Sequence, residues 1–290
     1  MWIEERTKRS PLYTGPLYAG ALAAALLAVG VHAAAGKHDQ DPKGHDITPT
    51  GLTPQYPAGF NCSPLTSLYA SWIDIDGSRR REAHAGVDGG RLGDGIVAPG
   101  PGTVVAAWHA NWGWGREGAL LISHTRAELN LTDGPELYFS EFDHLNYRDI
   151  ARFDRGQKIA RGERLARVFR PGGREVYLPE VHWEVWEVAD DDLTWRENKF
   201  GGQYWVNQSA RLIDPLSMLA RDTPPSEDGS VALVPFVEGR DYGEFRGFTY
   251  ILPCRVTMNK PSAIPADQQR LHLATANFAT GCNSCKERIP

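Results

Sequence analysis

Residues Glu180 to Val185 read Glu-Val-His-Trp-Glu-Val, a strict alternation of polar and apolar side chains. A period of two is the signature of a β-strand. It places Glu180, His182 and Glu184 on one face and Val181, Trp183 and Val185 on the other. Short apolar runs closed by turn residues recur through the middle of the chain. Ile96-Val97-Ala98 leads into Pro99-Gly100-Pro101-Gly102 and then into the strand candidate Thr103–Trp108. Ala119–Ser123, Glu136–Phe142, Arg164–Phe169 and Val181–Val188 are further strand candidates. The 30 Gly and 20 Pro among 290 residues supply turns and interrupt helices. Only Asp149–Phe153 and Pro215–Ala220 read as short helices. The chain is therefore expected to be mainly β, an antiparallel domain with few helices.

The two ends read differently from the middle. Arg6, Lys8 and Arg9 precede an apolar, Ala-rich run from Leu17 to Ala35, which ends in small residues a signal peptidase accepts. The run is also close to the roughly 20 residues that cross a bilayer. Residues 1–36 are thus expected to be a signal peptide or a membrane anchor, with a buried Ala-rich helix as the third reading. Either export reading puts the rest of the chain outside the cytoplasm, periplasmic or at the cell surface. Residues 37–60 read as a linker or loosely packed lead-in, 61–221 as the core domain and 222–290 as a β-rich C-terminal extension. In that extension Val231–Val237 and Phe248–Met258 are expected strands. The net charge is −5, and no basic block stands out, so a nucleic-acid partner is not expected. Cys62, Cys254, Cys282 and Cys285 suit an oxidising compartment and a disulfide whose pairing the sequence leaves open.

His84-Ala-Gly-Val-Asp88 and Val181-His182-Trp-Glu look like two halves of one metal site, with Phe142-Asp-His144-Leu between them. Two His and one Asp hold zinc and leave a fourth position open, the pattern of catalytic rather than structural zinc. Taken singly, each is weak: His84 reads equally as a hydrogen-bonded turn residue, and His182 as a core or edge histidine. His109 and His124 flank the Trp- and Gly-rich stretch from Trp108 to Gly118 and are expected to be surface or hairpin residues. Trp183 reads as core. Trp112 and Trp114 sit in a Gly-rich loop, either packed there or lining a groove for substrate. Serine-hydrolase and phosphate-loop motifs are missing from the sequence.

Order strengthens these fragments. His84-Ala-Gly-Val-Asp88, Val97-Ala-Pro-Gly-Pro-Gly-Thr-Val104, Phe142-Asp-His-Leu145, Arg155-Gly-Gln-Lys-Ile-Ala-Arg-Gly-Glu-Arg-Leu165 and Val181-His-Trp-Glu184 follow one another. In this order the chain resembles the LytM/lysostaphin-type zinc metallopeptidases, peptidase family M23, over about residues 68–220. The resemblance implies a compact, two-layer antiparallel β domain with zinc in a groove. It implies hydrolysis of peptide bonds in peptidoglycan stems or cross-bridges. Carried over position by position, His84, Asp88 and His182 would be the zinc ligands. His144 would act beside the metal.

Two positions depart from the family pattern. Glu180 stands where the family has a histidine, and Phe142 where it has a tyrosine. Glu180 reads as a proton acceptor, as a further ligand that fills the open position, or as a solvated strand residue in an inactive descendant. Two main functions follow, beside a third in which a zinc hydrolase acts on a protein or pilin-like peptide outside the cell. One is an exported zinc endopeptidase with Glu180 or His144 as its base. The other is a LytM-like domain that binds the wall or regulates another hydrolase without cutting.

Overall fold

A computed structural model describes residues 46–257. The apolar run 17–35, Cys282, Cys285 and His272 lie outside the described residues. Among those described, no helix is long and apolar enough to cross a membrane.

Eight strands form one antiparallel sheet. Its spatial order is Leu65–Ser67, Val87–Gly89, Val181–Val188, Leu137–Leu145, Glu117–Thr125, Gly102–Ala110 and Lys158–Ile159, with Arg211–Ile213 also paired to Val181–Val188. Every expected core strand is present within a few residues of its expected bounds. Gly95–Val97 and Arg164–Arg167 pair separately as an antiparallel ribbon. Among the described residues the α-helices are Tyr147–Ile150, capped by the Asn146 side chain, and Pro215–Leu219, capped by Asp214 with Pro at the first turn.

The alternation of Val181–Val188 is kept, yet both faces are buried. On one face Trp183 is fully enclosed, stacked parallel to Phe142 at 6.2 Å and packed against Phe248 at 5.9 Å. On the other, Trp186 meets Trp205 edge-on at 5.2 Å. Trp205 belongs to the hairpin Thr194–Glu197 with Gln203–Val206. Its indole N–H donates to Glu141, and that of Trp186 donates to Glu184. The polar side chains of this face are thus buried with partners, as a water-poor setting requires.

Three expectations are corrected. The expected strand Val231–Val237 is a strand only at its start, in Ser230–Ala232, and the described part of 37–60 is a lead-in that packs on the domain. Ile47 is buried, Thr53–Gln55 pairs in parallel with Ser230–Ala232, and the Thr50 hydroxyl donates to the Asp214 carboxylate. The expected strand Phe248–Met258 is a strand only at Cys254–Val256. Residues 248–252 are all buried, with no alternation, and their backbone groups bond to Met218, Pro99, Val234 and Val97. A segment that fills a core between several elements has no single partner strand. Finally, His124 is fully buried rather than at the surface.

Cys62 and Cys254 form a disulfide between Phe60–Cys62 and the strand Cys254–Val256 that pairs with it. The bridge ties the lead-in to the C-terminal segment across 192 residues of chain.

His124 accepts from the Ser140 hydroxyl at Nε2 and donates from Nδ1 to the Pro101 carbonyl. Burial pushes its pKa down to about 4 from 6.5. The unfolded chain binds this proton more readily, so stability is full above pH 6.5 and falls as pH drops toward 4. That loss is about 3 kcal/mol. Urea unfolding of wild type and His124→Gln across this window should give a shallower decline in the variant. Parallel declines would contradict the assignment.

Candidate metal centre

Register brings the site together. In the sheet His182 lies directly opposite Asp88 on one side and Asp143 on the other. His84 reaches the same place from the loop before Val87–Gly89, held by backbone bonds to Ala70 and Ser71. Gly86 allows this approach. A Cβ there would lie 2.3 Å from the Trp183 carbonyl oxygen and 3.1 Å from the His182 ring. The glycine between His84 and Asp88 is thus a requirement of packing against the neighbouring strand.

Three atoms converge. His84 Nε2 is 3.0 Å from Asp88 Oδ1 and 3.0 Å from His182 Nδ1, and His182 Nδ1 is 2.8 Å from Asp88 Oδ1. Among the described residues this is the group of His, Cys, Asp and Glu side chains arranged to hold a metal ion. Each residue's remaining polar atom is already engaged. His84 Nδ1 lies 3.0 Å from the Leu68 carbonyl. A carbonyl only accepts, so the ring hydrogen sits on Nδ1 and the Nε2 lone pair faces the triangle. His182 Nε2 lies 3.2 Å from Glu184 Oε1, which fixes the opposite tautomer and turns the Nδ1 lone pair inward. Asp88 Oδ2 accepts from Arg80 at 2.6 Å, leaving Oδ1 for the centre. Outer partners of this kind orient metal ligands and fix their tautomers. Two imidazole nitrogens and one carboxylate oxygen fit zinc.

The electrostatics agree. Burial, reinforced by Arg80, pushes the His84 pKa down to about 4, so the ring is neutral as a ligand must be. Burial works against the Asp88 carboxylate, but His84 and Arg80 hold its pKa well below the ordinary value. Burial likewise opposes a charged His182, but Asp88 and Glu184 raise its pKa well above 6.5. The same concentration of negative charge favours a bound cation, which competes with that proton for Nδ1.

His144 and Glu180 flank the triangle. The His144 ring lies 6.0 Å from that of His182, and its Nε2 is 4.0 Å from Glu180 Oε1. Burial disfavours the imidazolium, but the Glu117 carboxylate outweighs it and raises the His144 pKa to about 9. Glu180 is 8% exposed. Burial first, then the Asp88 charge, raise its pKa to about 8. A solvated strand residue it is not. Nor does it join the converging triangle, so the further-ligand reading gains no geometry here.

Trp114 stands edge-on to the His144 ring at 4.9 Å and faces Tyr177 at 6.4 Å. Trp112 instead donates to Asp143 at 3.1 Å and packs on the core. Of the two loop tryptophans, only Trp114 touches the site. His109 stacks on Tyr147, away from the ligands.

Sequence reasoning missed Arg80, Glu184 and Glu117. Glu184 was legible as sharing a face with His182. Arg80 and Glu117 carry no motif, and only the fold brings them here.

Gly86→Ala should separate the His84 loop from its neighbouring strand. A loss of about 1–3 kcal/mol in unfolding free energy and at least about tenfold weaker zinc binding are expected by calorimetry. Wild-type values for both would remove Gly86 from the account.

No family model matches the chain, and neither does any curated protein. Solved structures similar to it include LytU, at 20% identity over 54% of this chain and 84% of that one, with a TM-score of 0.35. A zinc-containing peptidase from Vibrio cholerae is 20% identical over 55% of this chain and 39% of that one, with a TM-score of 0.32. The catalytic domain of the antimicrobial peptidase lysostaphin from Staphylococcus simulans is 18% identical over 55% of this chain and 90% of that one, with a TM-score of 0.31.

Proposed function

We propose that this chain is an exported zinc-dependent endopeptidase that hydrolyses peptide bonds in peptidoglycan stems or cross-bridges. One observation carries the reading. Three inward-facing donor atoms converge on one point while each ligand's second polar atom is held by Leu68, Glu184 or Arg80. A hydrogen-bonded cluster with no metal to hold has no need for both histidine lone pairs to face the same point.

His84, Asp88 and His182 would hold the ion. Bound there, zinc supplies Lewis acidity toward a carbonyl oxygen and lowers the pKa of water to near neutrality. The protein's own part is to exclude bulk water, position the substrate and move a proton. His144 offers Nε2 on the side of Glu180 and suits stabilisation of developing oxyanion charge. Glu180, buried beside it with a pKa raised to about 8, would accept a proton once the charge of a bound ion favours its ionised form. Trp114 provides an aromatic wall for the substrate peptide. Trp112 has the weaker claim, since its indole is committed to Asp143.

Export is supported by the basic and apolar N-terminal pattern and by the Cys62–Cys254 disulfide, a bond of oxidising compartments. Residues 17–35 would then serve as a cleaved signal or as an inner-membrane anchor.

A second reading, wall binding or regulation without cleavage, is favoured by Glu180 in place of histidine. The deep burial of the ligands favours it too, with side-chain exposures of 3%, 3% and 13% for His84, Asp88 and His182.

Incubating residues 36–290 with bacterial sacculi, with and without a zinc chelator, separates the two. Chelator-sensitive release of muropeptides, identified by mass spectrometry, is expected. His84→Ala should lower release by more than about 100-fold, beyond the 10–100-fold typical of an outer partner. No release by a folded, zinc-loaded protein would favour the binding domain. Glu180→His then adds direction: loss of activity supports Glu180 as the working base, and gain supports decay at that position.

A further inference from the structure

His144 occupies an unusual backbone position. It lies in the strand Leu137–Leu145 yet has φ of 61°, in the left-handed region. The register explains how. Gly118 pairs with Leu145 and Leu120 pairs with Phe142, so Asp143 and His144 together oppose the single residue Ala119. This is a β-bulge, a device that re-aims a side chain at some cost in backbone energy. The bulge turns the His144 ring toward residue 117 of the adjacent strand.

There it meets Glu117, which is 2% exposed. One carboxylate oxygen of Glu117 lies 3.1 Å from His144 Nδ1 and accepts from the Gly172 N–H at 3.1 Å. Its other oxygen is buried with no hydrogen-bond partner. A buried carboxylate is costly unless paired. Holding a single backbone N–H would be served as well by a neutral amide. The negative charge has its counterpart in the His144 ring. A carboxylate accepts at Nδ1 and so fixes which ring nitrogen is left for the site. The free nitrogen, Nε2, points toward Glu180.

We propose that Glu117 is the positioning residue for His144, holding Nδ1–H through the strand bulge so that Nε2 is the working atom. The kinetic part rests on the peptidase reading above, whereas the structural part stands without it. Glu117 would not touch substrate or metal. It would act through the orientation and protonation of one ring.

The test uses the full exported chain loaded with zinc, as wild type, Glu117→Gln and Glu117→Ala. Glu117→Gln keeps an acceptor for both N–H groups and removes the charge. The first readout is nuclear magnetic resonance of the His144 ring. A protected Nδ1–H signal is expected in wild type, retained in Glu117→Gln and lost in Glu117→Ala. The second is turnover of a peptidoglycan-derived peptide. In Glu117→Gln, kcat should fall about 10–100-fold, the scale of an outer partner, with KM and zinc content unchanged. A wild-type ring with no hydrogen on Nδ1 would overturn the proposal. So would Glu117→Gln with unchanged kcat in an active enzyme. If wild type proves inactive on every peptide, the peptidase reading fails while the ring signal still decides the positioning role. Should Glu117→Ala not fold, the wild-type signal and Glu117→Gln decide between them.

Discussion

The structure turns on the cross-strand pair His182 and Asp88. Two antiparallel strands in one register put an imidazole and a carboxylate opposite each other, and their side chains meet at 2.8 Å. A slip of one residue would send His182 to the Trp183 face and replace a candidate ligand with an indole. The core guards against that slip. Trp183 is clamped by Phe142 and Phe248, and Trp186 by Trp205. The same aromatic packing that stabilises the sheet therefore fixes the centre's geometry.

The centre is layered. Inside are three donor atoms. Around them are Leu68, Glu184 and Arg80, each taking the second polar atom of one of the three side chains. Beside them is a line of Glu117, His144 and Glu180, in which the imidazole is flanked by two buried carboxylates. Such a concentration of buried acids is costly without compensating positive charge. Arg80 supplies part of it, with Asp88 at 2.6 Å and Asp74 at 3.0 Å. A divalent cation would supply more.

Much of this was legible in the sequence because strands write their register locally. The alternation at 180–185 gave the right face for His182 and Glu184, and the turn residues between short runs gave the strand order's raw material. The spacing of His84, Gly86 and Asp88 named two ligand candidates. What escaped notice depends on pairing between distant segments. Glu117 and Arg80 have no distinguishing neighbours in the chain, and only the bulge at Asp143 and His144 reveals Glu117's partner. His124 was misjudged because a histidine that can both donate and accept is tolerated deep in a core. The stretch 248–252 reads as a strand because its aromatic and β-branched residues mark burial without specifying a partner.

Zinc K-edge X-ray absorption on the purified chain tests the central claim most directly. One zinc per chain is expected, bound by two imidazole nitrogens and a carboxylate oxygen, with the imidazole contribution reduced in His182→Ala. A folded wild-type chain that retains no zinc from a zinc-supplemented buffer would contradict the account. So would zinc bound with an unchanged spectrum in His182→Ala.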